Sequence, residues 1–447
     1  MTMNTWKCLV LACAVLGAAL AEAGGLSTND ATAWIQRDID AAFRAGGGTV
    51  TVGAGEWRVK GIRLRSNVTL HLKSGAVLKA SRDMEDFDVL GRDTVEALAE
   101  QDRHPALPVC DPCRRWNRAI VFIYRARNVR IVGEPGAVID GMNSYDPRGE
   151  EHFRGAHGIA AWRSDHVALK GFEIRRTGNW ATRYFDCRDV SFENLTITGG
   201  HDGVHVRRCD RVSVRNCTIA CGDDCVAGFD NQDVTVEGCT FNTSCSVFRF
   251  GGRHVRIRDC RARGPGIWPH RLSLPEEDKR AGLDGLDKGR HNTLSFFTYF
   301  ADLSHGPLRC TQGDIVVENC TIENVQRFLH YNLSGNERWQ KAAPLTDIAF
   351  RNCTATNVGM SLCAYGAQAA PLELTLEDCA FSFAPAASEF VRGAWVKDLA
   401  VRRCKVSGVQ GSLLRSWGGE TALTAESVDG VPATTVKAET PFHANGI

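Results

Sequence analysis

Short stretches in which apolar and polar residues alternate recur along most of the chain. Alternation with a period of two predicts β-strands that bury one face. Four clear units begin at Asp189, Arg211, Asp233 and His254, so successive units start 22, 22 and 21 residues apart. Units of the same pattern begin later at Asp314, Asp347, Glu373 and Asp398 and, in weaker form, earlier at Asn67, Asn128 and His166.

A fixed period in the low twenties predicts a solenoid, in which each repeat is one coil stacked on the next. Leucine-rich repeats have a similar period, but they need a leucine consensus and a helix in each repeat, and neither is visible. The units are β-branched and flanked by turn residues. We therefore predict an all-β fold, a single-stranded right-handed parallel β-helix, with residues 24–447 forming one domain.

One position of the repeat is a cysteine in most coils. Coils stacked like neighbouring strands lie about 4.8 Å apart, so the Cβ atoms of stacked cysteines are slightly too far apart for a disulfide. We therefore predict a ladder of buried thiols that act as small apolar side chains. Its members are Cys217, Cys239, Cys260, Cys320, Cys353, Cys379 and Cys404.

Two further features concern turns and thiols. Asn216, Asn319 and Asn352 each precede a ladder cysteine and are predicted to be turn or ladder residues.

Cys110 and Cys113 form a CxxC in a separate loop. A zinc site would need a second pair of ligands at similar spacing, which is not evident, so a local disulfide and free thiols both remain open.

Residues 1–23 are typical of a secretory signal peptide. Lys7 precedes an apolar run over residues 8–20, and residues 21–23 fit a small-x-small cleavage site. We therefore expect export to the periplasm or the extracellular space. A lipoprotein box at residues 10–13 is less favoured, because cleavage there leaves a very short apolar region. No other stretch of the sequence approaches the length of a membrane span.

The composition narrows the choice of partner. Apolar residues make up 43% and charged residues 23% of the chain, which suits a large folded core. The net charge of +1 gives no support for a nucleic-acid partner, whose binding normally needs a basic surface. An acidic sugar polymer needs only a local cationic site, so it stays open as a partner.

The regular spacing is interrupted between the units at His254 and Asp314, which start 60 residues apart. The extra stretch, at about residues 267–293, is predicted to be an inserted loop, and such loops emerge on one side of a solenoid and often flank a binding face. His270 and Arg271 lie in this loop. They are either substrate contacts or solvated loop charges.

The repeat register places two aspartates on adjacent coils. Asp202 lies 13 residues after Asp189, and Asp224 lies 13 residues after Arg211, so their side chains are predicted to stack. The register defines three neighbouring columns on one face. They are Asp202, Asp224 and Ser246; His201, Asp223 and Cys245; and His205, Ala227 and Arg249.

Asp202, Asp223 and Asp224 are therefore predicted to cluster. Carboxylates that repel each other in a partly desolvated site titrate apart, and one of them acquires a raised pKa. Glycosidic hydrolysis uses a protonated acid beside an ionised base. Arg249 is suited to a bidentate contact with a substrate carboxylate. The structural alternative is an aspartate ladder in turns that binds a cation.

Several motifs resemble glycoside hydrolase family 28, the polygalacturonase-like enzymes. The most specific is Asp202-Gly203, followed 20 residues later by "GDDCVA" at residues 222–227. "GAVIDG" at residues 136–141 and residues 177–197 also fit, and residues 34–57 are similar to the family's opening. The resemblance implies a short N-terminal helix that caps the β-helix.

The resemblance also implies an inverting hydrolase without metal or other cofactor. Asp223 would protonate the glycosidic oxygen, while Asp202 and Asp224 would activate the attacking water. Three departures are visible, and the first is that the family's Asn-Thr-Asp-Gly is Gly200-His201-Asp202-Gly203 here. The family's Gly-His-Gly is Ser244-Cys245-Ser246 here, and its later Arg-Ile-Lys has no clean counterpart. Our hypothesis is that His201 takes the role of the missing histidine.

The leading hypothesis is an exported inverting glycoside hydrolase acting on a pectic polysaccharide, galacturonan or rhamnogalacturonan-like, or on a related acidic polymer. We expect a monomer whose partner is this polysaccharide or its oligosaccharides. The alternatives are a calcium-dependent β-helix lyase with Arg249 as the base, and a non-catalytic carbohydrate-binding β-helix. The predicted substrate-binding residues are His201, His205, Arg249, His270 and Arg271.

Overall fold

The computed structural model describes residues 30–88, 114–304, 306–333, 335, 337 and 339–442. The predicted signal peptide and the pair Cys110 and Cys113 lie outside the described residues. The described strands pair in parallel, coil upon coil, and divide into three sheets according to their pairing partners.

The first sheet contains β1 (Gly48–Val52), β4 (Val68–Leu72), β7 (Arg127–Gly133), β10 (Asp165–Lys170), β13 (Arg188–Glu193), β16 (Asp210–Arg215), the later parts of β18 (Val226–Glu237) and β20 (Ser246–Arg258), β23 (Gly313–Glu318), β25 (Asp347–Arg351), β28 (Leu372–Glu377), β30 (Val396–Arg402) and β32 (Ala422–Glu426). The second sheet contains β2 (Gly55–Val59), β5 (Ala76–Ala80), β8 (Val138–Asp140), β11 (Glu173–Arg175), β14 (Thr196–Gly199), β17 (Thr218–Cys221), β19 (Thr240–Thr243), β21 (Arg261–Arg263), the earlier part of β24 (Thr321–Asn332), β26 (Thr354–Met360), and the earlier parts of β29 (Ala380–Ala394) and β31 (Lys405–Trp417). The third sheet contains β3 (Ile62–Leu64), β6 (Ala119–Tyr124), β9 (His157–Trp162), β12 (Thr182–Phe185), β15 (Val204–Arg207), the earlier parts of β18 and β20, β22 (Ser295–Tyr299), the later part of β24, β27 (Leu362–Tyr365), the later parts of β29 and β31, and β33 (Thr435–Lys437).

The described helices are few and short. α1 (Thr32–Arg44) covers the N-terminal end of the stack, where Ile35 and Ile39 are fully buried. The predicted capping helix is thereby confirmed. α2 (Glu276–Ala281) lies in the inserted loop, and single 3₁₀ turns occur at Met84–Asp88, Arg115–Asn117, Glu150–His152 and Arg271–Ser273. Within the described ranges, no helix is both long enough and apolar enough to cross a membrane.

The coils stack because apolar residues of successive repeats fall in register. Val190 pairs with Val212, which pairs with Val234 and then with Val255. All four side chains are buried. Each fully buried valine contributes about 1.5–3 kcal/mol, so a column of like residues holds each coil against its neighbours on both sides. The parallel β-helix predicted from the repeat is confirmed.

Most repeat units start with a residue in the left-handed conformation; the units at Asp347, Glu373 and Asp398 do not. The φ angles of Asp189, Arg211 and Asp233 are 54°, 55° and 55°. A second turn precedes the cysteine position, where Asn319 and Asn352 have φ of 56° and 48°. Asn tolerates this conformation better than most residues. Asn352 Nδ2 also donates to Asn319 Oδ1 at 2.9 Å, which confirms both the predicted turn and the predicted ladder.

The cysteine ladder is confirmed as a set of buried free thiols. Several thiols donate to backbone carbonyl oxygens, as Cys217 does to that of Arg215 at 3.3 Å. The ladder therefore fills the core without cross-linking the coils.

Candidate active site

The turns that lead into the third sheet carry the three aspartates. Asp202 lies between β14 and β15, and Asp223 and Asp224 lie between β17 and β18. The strands that follow keep the register: His205 pairs with Ala227, and Ala227 pairs with Arg249. Three residues that lie far apart in an extended chain are thus held by the ladder of coils on one face.

The three carboxylates form one buried cluster. An oxygen from each of Asp202, Asp223 and Asp224 lies within 4.8 Å of the others. Their exposed fractions are 5%, 9% and 2%. Two backbone hydrogen bonds tie the stacked pair to the coils: Asp224 N donates to Asp202 Oδ1 at 3.3 Å, and Ser246 N donates to Asp224 Oδ1 at 3.0 Å.

Asp223 has two basic neighbours. Arg154 Nη2 donates to its Oδ2 at 3.0 Å, and His270 Nε2 lies 3.4 Å from its Oδ1. Burial acts to raise the pKa of Asp223, but the interactions with His270 and Arg154 outweigh it and hold the pKa well below its ordinary value. Asp223 is therefore ionised in the free protein.

Asp202 and Asp224 titrate in the opposite direction. Burial first, and then the charge of Asp223, raise the pKa of both carboxyl groups above the ordinary value. The nearest basic partner of Asp202 is His205, whose Nδ1 lies 2.9 Å from Asp202 Oδ2. Burial, followed by nearby arginine charges, lowers the pKa of His205 well below its ordinary value, so this pair is held in a neutral form.

This charge distribution is the reverse of the roles that the resemblance implies. A general acid must hold a proton at the working pH. The surroundings of Asp223 favour its ionised form, whereas those of Asp202 and Asp224 favour a bound proton. Acid–base catalysis uses one ionised and one protonated carboxyl group close together, and the opposed pKa shifts in this cluster favour that combination.

Arg249 lies on the same face, one coil beyond Asp224. Its Nη1 is 3.9 Å from Asp224 Oδ2, and its Cζ is 4.2 Å from the centre of the Phe300 ring. The Nη2 atom is buried and makes no hydrogen bond to a described residue, although Glu337 Oε1 lies 3.9 Å away. A guanidinium N–H left without a close acceptor beside a carboxylate cluster can donate a hydrogen bond to a substrate carboxylate.

The inserted loop carries two further predicted contacts, Arg271 and His270. Arg271 is 2% exposed, and its Nη2 donates to the backbone oxygens of Asn143 and Lys279 at 2.8 and 3.2 Å. It anchors the inserted loop, and its predicted contact with substrate stays a prediction. The inserted loop does bring His270 to the cluster, as Asp223's neighbour.

His201 is 3% exposed, and its ring nitrogens face arginines rather than carboxylates. Nδ1 lies 2.7 Å from Arg154 Nη1, and Nε2 lies 3.4 Å from Arg271 Nη1. Burial, then the charges of Arg154 and Arg271, lower the pKa of His201 well below its ordinary value. The hydrogen bonds therefore connect His201 to Asp223 through Arg154, and the histidine ring that lies directly beside Asp223 is that of His270.

Two site residues were missed from the sequence. Arg154 lies in the loop between β8 and β9, outside the repeat register, so no spacing signalled it. Trp180 stacks on His205 with ring centres 3.9 Å apart and planes at 2°. The available signal for Trp180 in the sequence was its place in the motif at residues 177–197.

Two overlapping groups have the side chains of a metal site: the three aspartates, and Asp223 with Cys245 and His270. The cluster is a poor match for calcium, which prefers several free carboxylate oxygens. Arg154 already binds Asp223, Arg249 lies beside Asp224, and the raised pKa values favour bound protons there.

Comparison with known proteins places this geometry in context. The family described as "Right handed beta helix region" matches residues 157–268. A polygalacturonase of Medicago sativa is 23% identical over 122 residues, which cover 22% of this chain and 29% of the relative. The chain spans less than half the length of the curated relatives it matches.

Solved structures show the same fold over most of the chain. A hyperthermoactive exopolygalacturonase from Thermotoga maritima superposes with a TM-score of 0.58 at 15% identity, covering 89% of this chain and 88% of its own. A surface adhesin of Streptococcus pneumoniae superposes with a TM-score of 0.56 at 12% identity, covering 88% of this chain and 90% of its own. One fold thus occurs in an enzyme and in an adhesin.

The chain is therefore a right-handed parallel β-helix protein, and the handedness predicted from the sequence is confirmed. Its resemblance to the polygalacturonase-like enzymes of glycoside hydrolase family 28 is also confirmed, at low identity.

Proposed function

We propose that the protein is an exported glycoside hydrolase that cleaves, with inversion, a glycosidic bond of a pectic or related acidic polysaccharide. Its similarity to polygalacturonases supports the reaction class. The substrate class rests on Arg249, whose buried Nη2 lies beside the carboxylate cluster without a hydrogen-bond partner among the described residues. A neutral polysaccharide would leave this donor unpaired, at a cost in binding free energy.

One observation carries the proposal. Asp202, Asp223 and Asp224 converge within 4.8 Å, and their pKa values are shifted in opposite directions by their surroundings. Structural turns rarely combine buried carboxylates with opposed shifts, whereas acid–base catalysis depends on them. The ion pair with Arg154 and a proton bound by a neighbouring carboxyl group together reduce the electrostatic repulsion within the buried cluster.

The steps of hydrolysis follow from these charges. Arg249 holds a sugar carboxylate, and the protonated member of the Asp202 and Asp224 pair transfers its proton to the glycosidic oxygen as the C–O bond breaks. The ionised carboxylate of Asp223 accepts a proton from the water that attacks the anomeric carbon. The products are two shorter chains, one with a new reducing end. The site is restored when Asp223 releases its proton to solvent and the acid of the Asp202 and Asp224 pair takes one up.

The test is a reducing-end assay over galacturonan, rhamnogalacturonan and other acidic polysaccharides, with the full wild-type chain and the Asp223→Asn variant. The proposal expects new reducing ends with the wild type and a loss of about 10²–10⁴-fold in the variant. Equal rates in both would refute it. Products that absorb in the ultraviolet and disappear on chelation would identify a lyase, and binding without any products would identify an adhesin-like protein.

A further inference from the structure

A pocket lies on the third sheet, beyond the carboxylate cluster toward the C-terminus. Its volume is about 310 Å³, and its lining includes Arg327, His330, Ser361, Tyr365, Ser388 and Arg392. The strand register joins it to the cluster. Arg249 pairs with Thr298, and Thr298 pairs with His330. Two coils thus separate Arg249 from His330, or about 10 Å at the usual strand spacing.

Arg327 supplies an uncommitted positive charge. It is half-buried on β24, where it pairs through its backbone with Ser295 and Met360. Its guanidinium has neither an ion pair nor a hydrogen bond within the part of the chain that the structure describes. Arg392 differs, since its Nε donates to Glu389 Oε1 at 2.7 Å. The pocket therefore has a net positive charge that centres on Arg327.

His330 adds a polar group that is almost completely buried. It is 5% exposed, and its ring makes no hydrogen bond to any residue in the described ranges. Burial, followed by the charge of Arg327, lowers the pKa of His330 to about 4. Above that pH the ring is neutral, with one N–H donor and one acceptor nitrogen. A buried polar group without a partner costs free energy unless a ligand supplies the hydrogen bond.

We propose that this pocket is a remote subsite that binds a carboxylate-bearing sugar unit of the polysaccharide, away from the bond that is cleaved. Arg327 would bind the carboxylate, and His330 would hydrogen-bond a sugar hydroxyl. The inference rests on the proposed function for the identity of the chain that reaches both sites. The shared sheet face and the shared column with Arg249 favour one ligand that extends along the axis of the helix.

The experiment measures binding separately from hydrolysis. The full chain with Asp223→Asn, which prevents turnover, is titrated calorimetrically at low ionic strength with trigalacturonate, hexagalacturonate and a carboxyl-reduced hexamer. The same titrations are made with a double variant that combines Asp223→Asn with Arg327→Gln. The matched control is a double variant that combines Asp223→Asn with Arg130→Gln, which changes an exposed arginine of β7 on the first sheet. Thermal unfolding verifies that each variant is folded.

The expected result is a loss of about tenfold in hexagalacturonate affinity with Arg327→Gln, equivalent to one charge-assisted contact. Affinity for the trimer and for the carboxyl-reduced hexamer stays within about twofold, and Arg130→Gln has no effect. The proposal is overturned by an unchanged hexamer affinity, by an equal loss with the trimer, or by no hexamer binding at all. Arg327-dependent binding without reducing ends from the wild type would refute the hydrolase and retain the subsite.

Discussion

Arg154 Nη2 lies 3.0 Å from Asp223 Oδ2, although the two residues are 69 positions apart in the chain. This contact joins a loop outside the repeat to a carboxylate on the coils. Both groups are buried, so the pair is screened little by water and strongly favours the charged form of Asp223. The site is therefore organised around one ionised aspartate and two that tend to keep a proton.

The first prediction separates the catalytic roles of the aspartates. Asp223→Asn should lower hydrolysis of the polysaccharide by about 10²–10⁴-fold. Because Asp223 is the proposed base, the loss should persist on an aryl glycoside, whose leaving group needs no proton. Asp202→Asn or Asp224→Asn should keep more activity on the aryl glycoside than on the polymer. If the Asp223→Asn variant regained activity on the aryl glycoside, Asp223 would be the general acid, as the resemblance to the family implies.

The second prediction concerns the pH dependence of kcat/KM. The rate needs a protonated group in the Asp202 and Asp224 pair, so it should fall as pH rises through their raised pKa values. The charge of Arg249 lowers both of these pKa values. Arg249→Gln should therefore move the alkaline limb to higher pH while lowering kcat/KM about tenfold through the lost carboxylate contact. An alkaline limb that stays in place would contradict this account, and Arg130→Gln serves as the control.

The third prediction is that Asp202→Asn stabilises the protein at neutral pH. The pKa of Asp202 is raised in the folded state. The contribution of Asp202 to the free energy of unfolding is therefore fully present below its ordinary pKa and is lost as the pH rises through its folded-state pKa. Asparagine has nearly the same shape as aspartate but does not ionise, so the variant does not lose this stability as the pH rises. Thermal unfolding should show a midpoint about 2 °C higher at pH 7 and no gain near pH 3. An equal gain at both values would exclude titration as its cause.

The fourth prediction tests His270 as a neighbour of Asp223. His270→Ala should lower kcat about tenfold or more, because it removes one of the two basic partners that favour the ionised carboxylate. It should also raise the pKa of the acidic limb in the pH profile. His254→Ala, which changes a half-exposed histidine of the first sheet, is the control. An unchanged acidic limb in the His270→Ala variant would argue that the loop serves only to shape the site.

The fold and the stacked aspartates were predictable because both follow from one visible period. Asp202 and Asp224 occupy equivalent positions of adjacent coils, so their spacing in sequence determines their spacing in space. Arg154 and His270 lie on loops, whose course depends on packing that no repeat encodes. The contacts of Arg271 could not be predicted for the same reason. Only the folded loop shows that its guanidinium donates to the backbone oxygens of Asn143 and Lys279.

The inserted loop and the loop between β8 and β9 have a consequence for how such a protein can change. The aspartates belong to the coil ladder, where a residue inserted between Asp202 and Asp224 would disturb the stacking of these two side chains. Arg154 and His270 lie on segments that contribute no rung to the stack. Loop residues can therefore be exchanged during evolution, altering acidity and ligand preference, while the stacked scaffold keeps folding as before.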